Sequence, residues 1–158
     1  MLRFYLFAFL IGVVAGSRTF TAPAAVSWAA RFQWLHLSGT PLGFLGTLAA
    51  PFILTLLAIG ELIVDKLPNT PSRKAPTGFV ARILSGAFCG AALGFTGGGA
   101  FGGLIAGGIG AVVGTLGFSR FRASLTKAFG GRDLPAALIE DACAIAAAVC
   151  IVATMTGR

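Results

Sequence analysis

Five long apolar stretches, separated by short polar segments, run along this chain of 158 residues. They cover about residues 4–30, 43–64, 79–95, 100–117 and 134–155. A helix rises 1.5 Å per residue and needs about 20 residues to cross the hydrocarbon core of a bilayer, so these lengths bracket the requirement. The pattern predicts an all-α, polytopic membrane helix bundle with about five transmembrane helices, in a single domain over residues 1–158.

The first apolar stretch is interrupted near its middle by Gly16–Arg18. This segment predicts a broken helix, with Thr21 as the cap of the second half and Pro23 in its first turn. The chain start has the outline of a signal peptide, with a basic residue before a short apolar core. Because the apolar character resumes after Arg18, we expect the first helix to be retained.

Proline and glycine mark the remaining boundaries. The four residues Asn69, Pro68, Pro71 and Pro76 predict an extended connector over residues 67–78. Three consecutive glycines at 97–99 join the third and fourth stretches so closely that an antiparallel hairpin is expected. After the glycine pair at 130–131, Asp133 is expected to cap the last helix, with Pro135 in its first turn.

Glycine recurs every fourth residue in the middle of the chain. Such small-xxx-small rows let helix backbones approach closely in lipid, where there is little hydrophobic force between helices. This glycine-zipper pattern predicts a tight hairpin or a helix-dimer face, and with it a homo-oligomer or docking to a larger membrane complex. The rows comprise Gly86, Gly90, Gly94, Gly98 and Gly102, then Gly99, Gly103 and Gly107, and the pair Gly110 and Gly114.

Composition agrees with burial in lipid. Hydrophobic residues make up 56% of the chain and charged residues 11%, against about 25% charged in a typical soluble domain. The net charge of +7 comes mostly from basic residues in the short segments between apolar stretches, which favours contact with lipid head groups over nucleic acid. With the N-terminus in the cytoplasm, most basic residues become cytoplasmic, as the positive-inside rule expects. Those residues are Arg3, Lys66, Arg73, Lys74, Arg120, Arg122, Lys127 and Arg132, whereas Arg31 and Arg158 fall outside.

Arg18 is the first candidate for a functional residue, because a charge inside a membrane span is costly and is usually answered by a partner. With Ser17, Thr19 and Thr21 beside it, the start of the second half-helix would attract an anion, as in transporters with discontinuous helices. The alternatives are that Arg18 reaches the outer head groups or pairs with one carboxylate for assembly.

Embedded carboxylates are the second candidate. Glu61 and Asp65, followed by Lys66, close the second stretch, and Glu140 and Asp141 lie inside the fifth. We expect one polar cluster on the cytoplasmic side, serving either as a structural set of ion pairs or as a site that handles protons or a solute. The cations available to it are Arg82, Arg120 and Arg122.

A short internal match supports the second alternative. Residues 16–22 and 117–123 share the pattern Gly-x-x-x-Phe-x-Ala, and each is followed by a stretch that carries an acid. Under the predicted topology the two units run in opposite directions, so an inverted repeat is possible.

Three motifs together resemble a bacterial family of small Gly/Ala-rich membrane proteins, the four-one-two-six domain of unknown function. They are Gly16-Ser17-Arg18-Thr19-Phe20, the Glu61-to-Pro68 element Glu-x-x-x-Asp-Lys-x-Pro, and Glu140-Asp141-Ala142. The resemblance covers nearly the whole chain and implies a multi-pass protein of the bacterial inner membrane. It directs attention to Arg18, Glu61, Asp65, Lys66, Glu140 and Asp141 without implying an activity.

Two functions are consistent with these residues. The first is permeation of a small ion or anionic solute, and the second is a non-catalytic accessory or scaffold subunit of a larger membrane complex. An enzyme is not expected, since His36 stands beside Trp34 in a short outer loop and no nucleophile–base grouping or metal-ligand spacing occurs. We therefore predict no cofactor, no metal and no catalytic residues.

Overall fold

A computed structural model describes residues 2–67, 76–97 and 99–155 of the chain. The described residues form α-helices and one short 3-10 helix, which confirms the all-helical prediction and the break in the first helix. The helices are α1 (Leu2–Ser17), α2 (Thr21–Arg31), the 3-10 helix (Gly43–Gly46), α3 (Ala49–Val64), α4 (Pro76–Phe95), α5 (Ala100–Ala128) and α6 (Asp133–Ala153).

The outer surface of the bundle is apolar. Helices α4, α5 and α6 are long and apolar enough to cross a membrane, and α1 and α3 are shorter apolar helices. Large side chains such as Leu56, Leu84 and Phe101 are more than half exposed. Such a surface requires lipid to cover it, so the chain is an integral membrane protein.

The helices run between two ends of the bundle. At one end, Arg18 after α1 meets Asp65 after α3 and Asp141 near the start of α6; this is the charged end. At the other end, Arg3 shares a cavity with Trp34, Thr96 and Thr154; this is the terminal end. Helix α1 therefore leads to the charged end, α2 returns, and α3 to α6 alternate.

This arrangement differs from the prediction that the first stretch makes one crossing. Because α1 and α2 run in opposite directions around the break, Arg3 lies at the end opposite to Lys66 and Arg122 rather than beside them. The start of α1 and the residues after α6 lie at the same end. A 16-residue helix extends about 24 Å, so α1 alone is long enough for most of a crossing.

Several predicted boundaries shift for local reasons. The fourth stretch was expected to end at 117, but α5 continues to Ala128 because it contains no proline and its glycines keep helical dihedrals; the first glycine after it with a positive φ is Gly130, at 65°. Pro51 lies in the first turn of α3, where its missing N–H costs nothing. The predicted connector over 67–78 lies mostly outside the described residues, and its last three residues form the first turn of α4.

Glycine allows α1, α4 and α5 to pack with their backbones in contact. A Cβ added at Gly107 of α5 would stand 2.1 Å from the carbonyl oxygen of Gly86, and one added at Gly12 of α1 would stand 2.1 Å from that of Gly107. We call this contact region the glycine interface. It consists of Gly12, Gly16, Gly86, Gly90, Gly94, Gly103, Gly107, Gly110 and Gly114.

Candidate functional site

The break between α1 and α2 exposes backbone groups that side chains of other helices satisfy. The hydroxyl of Ser85 on α4 donates to the Thr19 carbonyl at 2.5 Å. The hydroxyl of Thr115 on α5 lies 3.0 Å from the Gly16 carbonyl oxygen, within donating distance. Non-helical backbone at membrane depth is tolerated only where such partners exist, so the neighbouring helices are built to hold this break.

Glu61 supplies the acceptor for the start of α2. Its Oε1 accepts from the backbone N–H of Thr19 at 2.7 Å, and its Oε2 accepts from that of Phe20 at 2.9 Å. Phe20 is the N-cap residue of α2 and makes no cap through its own side chain. Because a helix N-terminus carries partial positive charge, the carboxylate of Glu61 occupies an anion site made by the backbone.

Arg18 lies in the break and is fully buried. Its Nη1 lies 2.7 Å from Oδ2 of Asp65, and its Nη2 contacts Oδ1 of Asp141. The second oxygen of Asp141 lies 2.5 Å from Nζ of Lys66. The guanidinium therefore joins the C-terminal end of α3 to the third turn of α6, and its charge is balanced by two carboxylates.

The ion pairs continue from Arg18 to the surface through Arg122 of α5. Its Nη1 lies 2.6 Å from Asp65 and 3.7 Å from the fully buried Glu140. Its Nε and Nη2 donate to Asp133, whose side chain is 57% exposed. We call the residues of this network the charged cluster: Arg18, Asp65, Lys66, Arg122, Asp133, Glu140 and Asp141.

The charged cluster and Glu61 together account for all five acidic residues of the chain. Arg82, which is 7% exposed, lies one turn before Ser85 at the same end of the bundle. Arg120 does not join, since it is exposed and has no ion pair with a described residue. Of the predicted site residues, six therefore share one network of ion pairs, Ser17, Thr19, Thr21 and Glu61 lie at the adjacent break, and Arg120 lies outside; the six are Arg18, Asp65, Lys66, Arg122, Glu140 and Asp141.

Two polar groups beside the break have no hydrogen-bond partner among the described residues. They are Nε of Arg18 and the hydroxyl of Thr21, and both atoms are buried. Thr21 is the first residue of α2 rather than its cap, so the predicted capping role is wrong. The predicted candidate Ser17 is also buried, and its hydroxyl donates to the Val14 carbonyl within its own helix.

Asp133 corrects a second capping prediction. It is the first residue of α6, and its carboxylate binds Arg122 and Thr126 instead of the helix N-terminus. Sequence reasoning did not place Asp133, Ser85 or Thr115 in the site. The missed signal for Asp133 was that a glycine pair at 130–131 separates it from the end of α5, which carries Arg122 and Lys127. Nothing in the sequence marks the two hydroxyls.

The two segments of the predicted repeat differ in structure. Residues 16–22 include the break, whereas residues 117–123 lie within the continuous helix α5. Arg18 is buried and Arg120 is exposed. The shared sequence pattern is therefore not accompanied by a second broken helix.

Comparisons with known proteins identify the family and nothing narrower. The model of one family matches residues 5–154, which is nearly the whole chain, and its description is "Domain of unknown function (DUF4126)". Neither the curated proteins nor the solved structures provide a match. The matched range includes the break, the charged cluster, helices α2 to α6 and all of α1 but its first three residues, and the chain belongs to the DUF4126 family.

Proposed function

We propose that this integral membrane protein carries a small anion across the bacterial inner membrane, with the break between α1 and α2 as the anion site. The observation that supports this proposal most strongly is the carboxylate of Glu61 on two backbone N–H groups. It is a tethered anion in a place that a free anion of similar size can take. Burying ionisable groups inside a membrane protein is costly, and such residues usually mark a functional site.

Hydrogen-bond donors that have no partner while Glu61 caps α2 would complete the site for an incoming anion. After Glu61 moves away, the N–H groups of Thr19 and Phe20 are vacant, and Nε of Arg18 and the Thr21 hydroxyl lie within the same four residues. An oxyanion or halide accepts several such bonds at once. The proposal thus explains why two buried donors beside the break lack a partner.

Charge balance suggests coupling to protons. If Glu61 takes up a proton as the anion binds, the site exchanges one negative charge for another and the net charge of the region stays constant. Glu61 is partly exposed at the charged end, so water there can supply the proton, and intramembrane carboxylates commonly carry protons. The expected activity is therefore the movement of one proton with one anion.

Flux measurements with Glu61→Gln test this mechanism. In reconstituted vesicles, wild-type protein is expected to accelerate uptake of formate, nitrate or chloride over empty vesicles, and an inward proton gradient is expected to increase the rate. Glutamine mimics the protonated acid, so E61Q is expected to keep the flux and lose its dependence on the proton gradient.

The matched control is Arg120→Gln, which removes an exposed charge outside the cluster and is expected to behave as wild type. If none of these anions crosses faster with wild-type protein than in empty vesicles, the proposal fails. If E61Q transports but remains as dependent on the gradient as wild type, the role of Glu61 is wrong.

We propose further that the charged end faces the cytoplasm, so that both ends of the described chain lie on the outer side. Most described basic residues lie at the charged end, including Lys66, Arg122 and Lys127, whereas Arg3 and Arg31 lie at the terminal end. The positive-inside rule then reverses the orientation predicted from sequence. Single cysteines placed at Arg3 and at Lys127 in a cysteine-free variant are expected to react with an impermeant reagent in whole cells only at position 3.

A second candidate is an accessory subunit of a larger complex. It is favoured by α3, which packs chiefly on α2 and the 3-10 helix and leaves Phe52, Leu56 and Ile63 more than half exposed. The glycine interface is used within the chain, so self-association would also require another face such as α3. Purification in mild detergent with a stoichiometric partner would favour this candidate, and a monodisperse homo-oligomer would count against it.

A further inference from the structure

A cavity remote from the charged cluster lies at the terminal end of the bundle. It has a volume of about 190 Å³ and is bounded by the start of α1, the end of α4, the segment after α2 and the residues after α6. Four of its lining residues are aromatic: Phe4, Phe7, Trp34 and Phe95. Its size exceeds the ~150 Å³ of an engineered apolar cavity that takes up benzene.

The charged and titratable side chains of this cavity are basic. Arg3 and His36 line it, and all five acidic side chains lie at the opposite end. Arg3 also stands over the ring of Phe7, with its guanidinium carbon 5.4 Å from the ring centroid. No acidic side chain of this chain therefore neutralises the positive potential, and the guanidinium presents donors in a geometry that suits phosphate or carboxylate.

The apolar part of the cavity is held in place by packing. Phe4 covers Gly97, where an added Cβ would stand 2.8 Å from the phenyl ring. The hydroxyls of Thr96 and Thr154 donate to carbonyls of their own helices and keep lone pairs available. The cavity thus combines a cationic rim with an aromatic wall, a combination that fits a molecule with one acidic head and one apolar chain.

We propose that this cavity binds an anionic amphiphile, with its phosphate ester at Arg3 and His36 and its chain along Phe4 and Phe95. This inference is independent of the proposed transport, since none of its residues belongs to the break or the charged cluster. The ligand can be a phospholipid of the surrounding leaflet or a free alkyl phosphate, because both present the same chemistry.

Trp34 provides the readout. The chain has two tryptophans, and Trp28 of α2 donates to Thr55 of α3, so Trp28→Phe leaves Trp34 as the single tryptophan, which can be excited selectively. In vesicles of phosphatidylcholine, brominated phosphatidylglycerol at low mole fraction is expected to quench Trp34 about fivefold more effectively than brominated phosphatidylcholine. This is roughly the preference that one basic side chain has for an anionic lipid.

Matched variants separate the cavity from general surface charge. Arg3→Gln and His36→Gln, each in the Trp28→Phe background, are expected to lower the preference toward unity. Arg31→Gln removes the same charge from the same end but outside the cavity lining, and is expected to retain it. Equal quenching by the two lipids would overturn the proposal. It would also be overturned if Arg3→Gln and Arg31→Gln lowered the preference for phosphatidylglycerol equally.

Competition in detergent distinguishes the two sources. Hexyl phosphate displacing brominated phosphatidylglycerol, with no displacement by inorganic phosphate, supports a site that also takes a free amphiphile. If brominated phosphatidylglycerol quenches selectively and hexyl phosphate does not reverse the quenching, the ligand is a membrane phospholipid whose second acyl chain is needed for binding. Displacement by inorganic phosphate at the same concentration would show that the aromatic wall contributes nothing, and would refute the proposal as stated.

Discussion

The glycine interface and the charged cluster hold the same bundle together by opposite means. In the glycine interface, α1, α4 and α5 approach until backbone meets backbone, with no room for a Cβ at Gly12 or Gly107. In the charged cluster, long side chains from the break, α3, α5 and α6 meet across spaces that backbone does not fill. One region uses residues without a side chain, and the other uses charged side chains.

The difference separates rigidity from the capacity to change. Backbone contacts in lipid depend on dispersion and shape and have essentially one geometry. Ion pairs can exchange partners, and Asp65 and Asp141 each already contact two cations. A transported ion requires groups that can release one partner and bind another, so we expect movement at the charged end and a fixed frame at the glycine interface.

The largest expected effect is at the glycine interface. Gly107→Ala places a Cβ 2.1 Å from the Gly86 carbonyl oxygen, and neither helix backbone can yield without losing other contacts. Overpacking usually costs about 1–3 kcal/mol, and a clash with backbone on this scale belongs at or above the upper limit. The free energy of unfolding in mixed detergent is expected to fall by about 3 kcal/mol or more.

Gly117→Ala on the same helix is the matched control, since nothing lies within 4 Å of its added Cβ. There the substitution is expected to stabilise the helix by about 0.5–1 kcal/mol. A similar loss for both variants would mean that helix propensity, not contact between α4 and α5, determines the response.

Arg18→Met is expected to have the next largest effect. Removing one partner from a buried ion pair costs about 3–5 kcal/mol because the remaining charge stays uncompensated. Asp65 retains Arg122 and Asp141 retains Lys66, so a loss of about 3 kcal/mol, at the lower end of that range, is expected. In a double-mutant cycle with Asp141→Asn, a coupling energy below about 0.5 kcal/mol would show that the two side chains act independently.

Glu61→Gln is expected to destabilise moderately. The amide keeps one acceptor for the N–H of Thr19 or Phe20 and turns its NH₂ toward the other. An unsatisfied buried donor costs about 1–3 kcal/mol, and the partial exposure of Glu61 favours the lower part of that range. Thermal unfolding of E61Q with and without 100 mM formate is the measurement, and an unchanged midpoint without formate would contradict the capping role.

Much of this fold was predictable because apolar length and breaker residues act locally. Gly16–Arg18 interrupts an apolar run, and the structure places the break there, between the end of α1 at Ser17 and the start of α2 at Thr21. The reversal of direction at that break was not predictable, since a kink and a hairpin turn use the same residues. The direction is determined by contacts from α3, α4 and α5, such as those of Glu61 and Ser85.

The roles of polar residues were harder to predict than their importance. Arg18, Asp65 and Asp141 stood out because charges inside apolar runs are rare, and the structure brings them together. Asp133 looked like a helix cap because it precedes a helix, and only the three-dimensional position of Arg122 reveals its partner. Likewise, rows of glycine look the same in a sequence whether the helices that carry them pack within one chain or between two chains.

The smallest expected effect tests whether depth sets the strength of the charged cluster. Asp133 contacts the same Arg122 that reaches Asp65 and Glu140, but its side chain is 57% exposed. Exposed ion pairs contribute about 0–1 kcal/mol and are screened by salt, so Asp133→Asn is expected to lower the free energy of unfolding by less than about 1 kcal/mol. The loss is expected to vanish in 1 M salt, whereas the loss in Arg18→Met persists. If Asp133→Asn destabilised as much as Arg18→Met, the network would act as one unit whose outermost pair is as important as its buried centre.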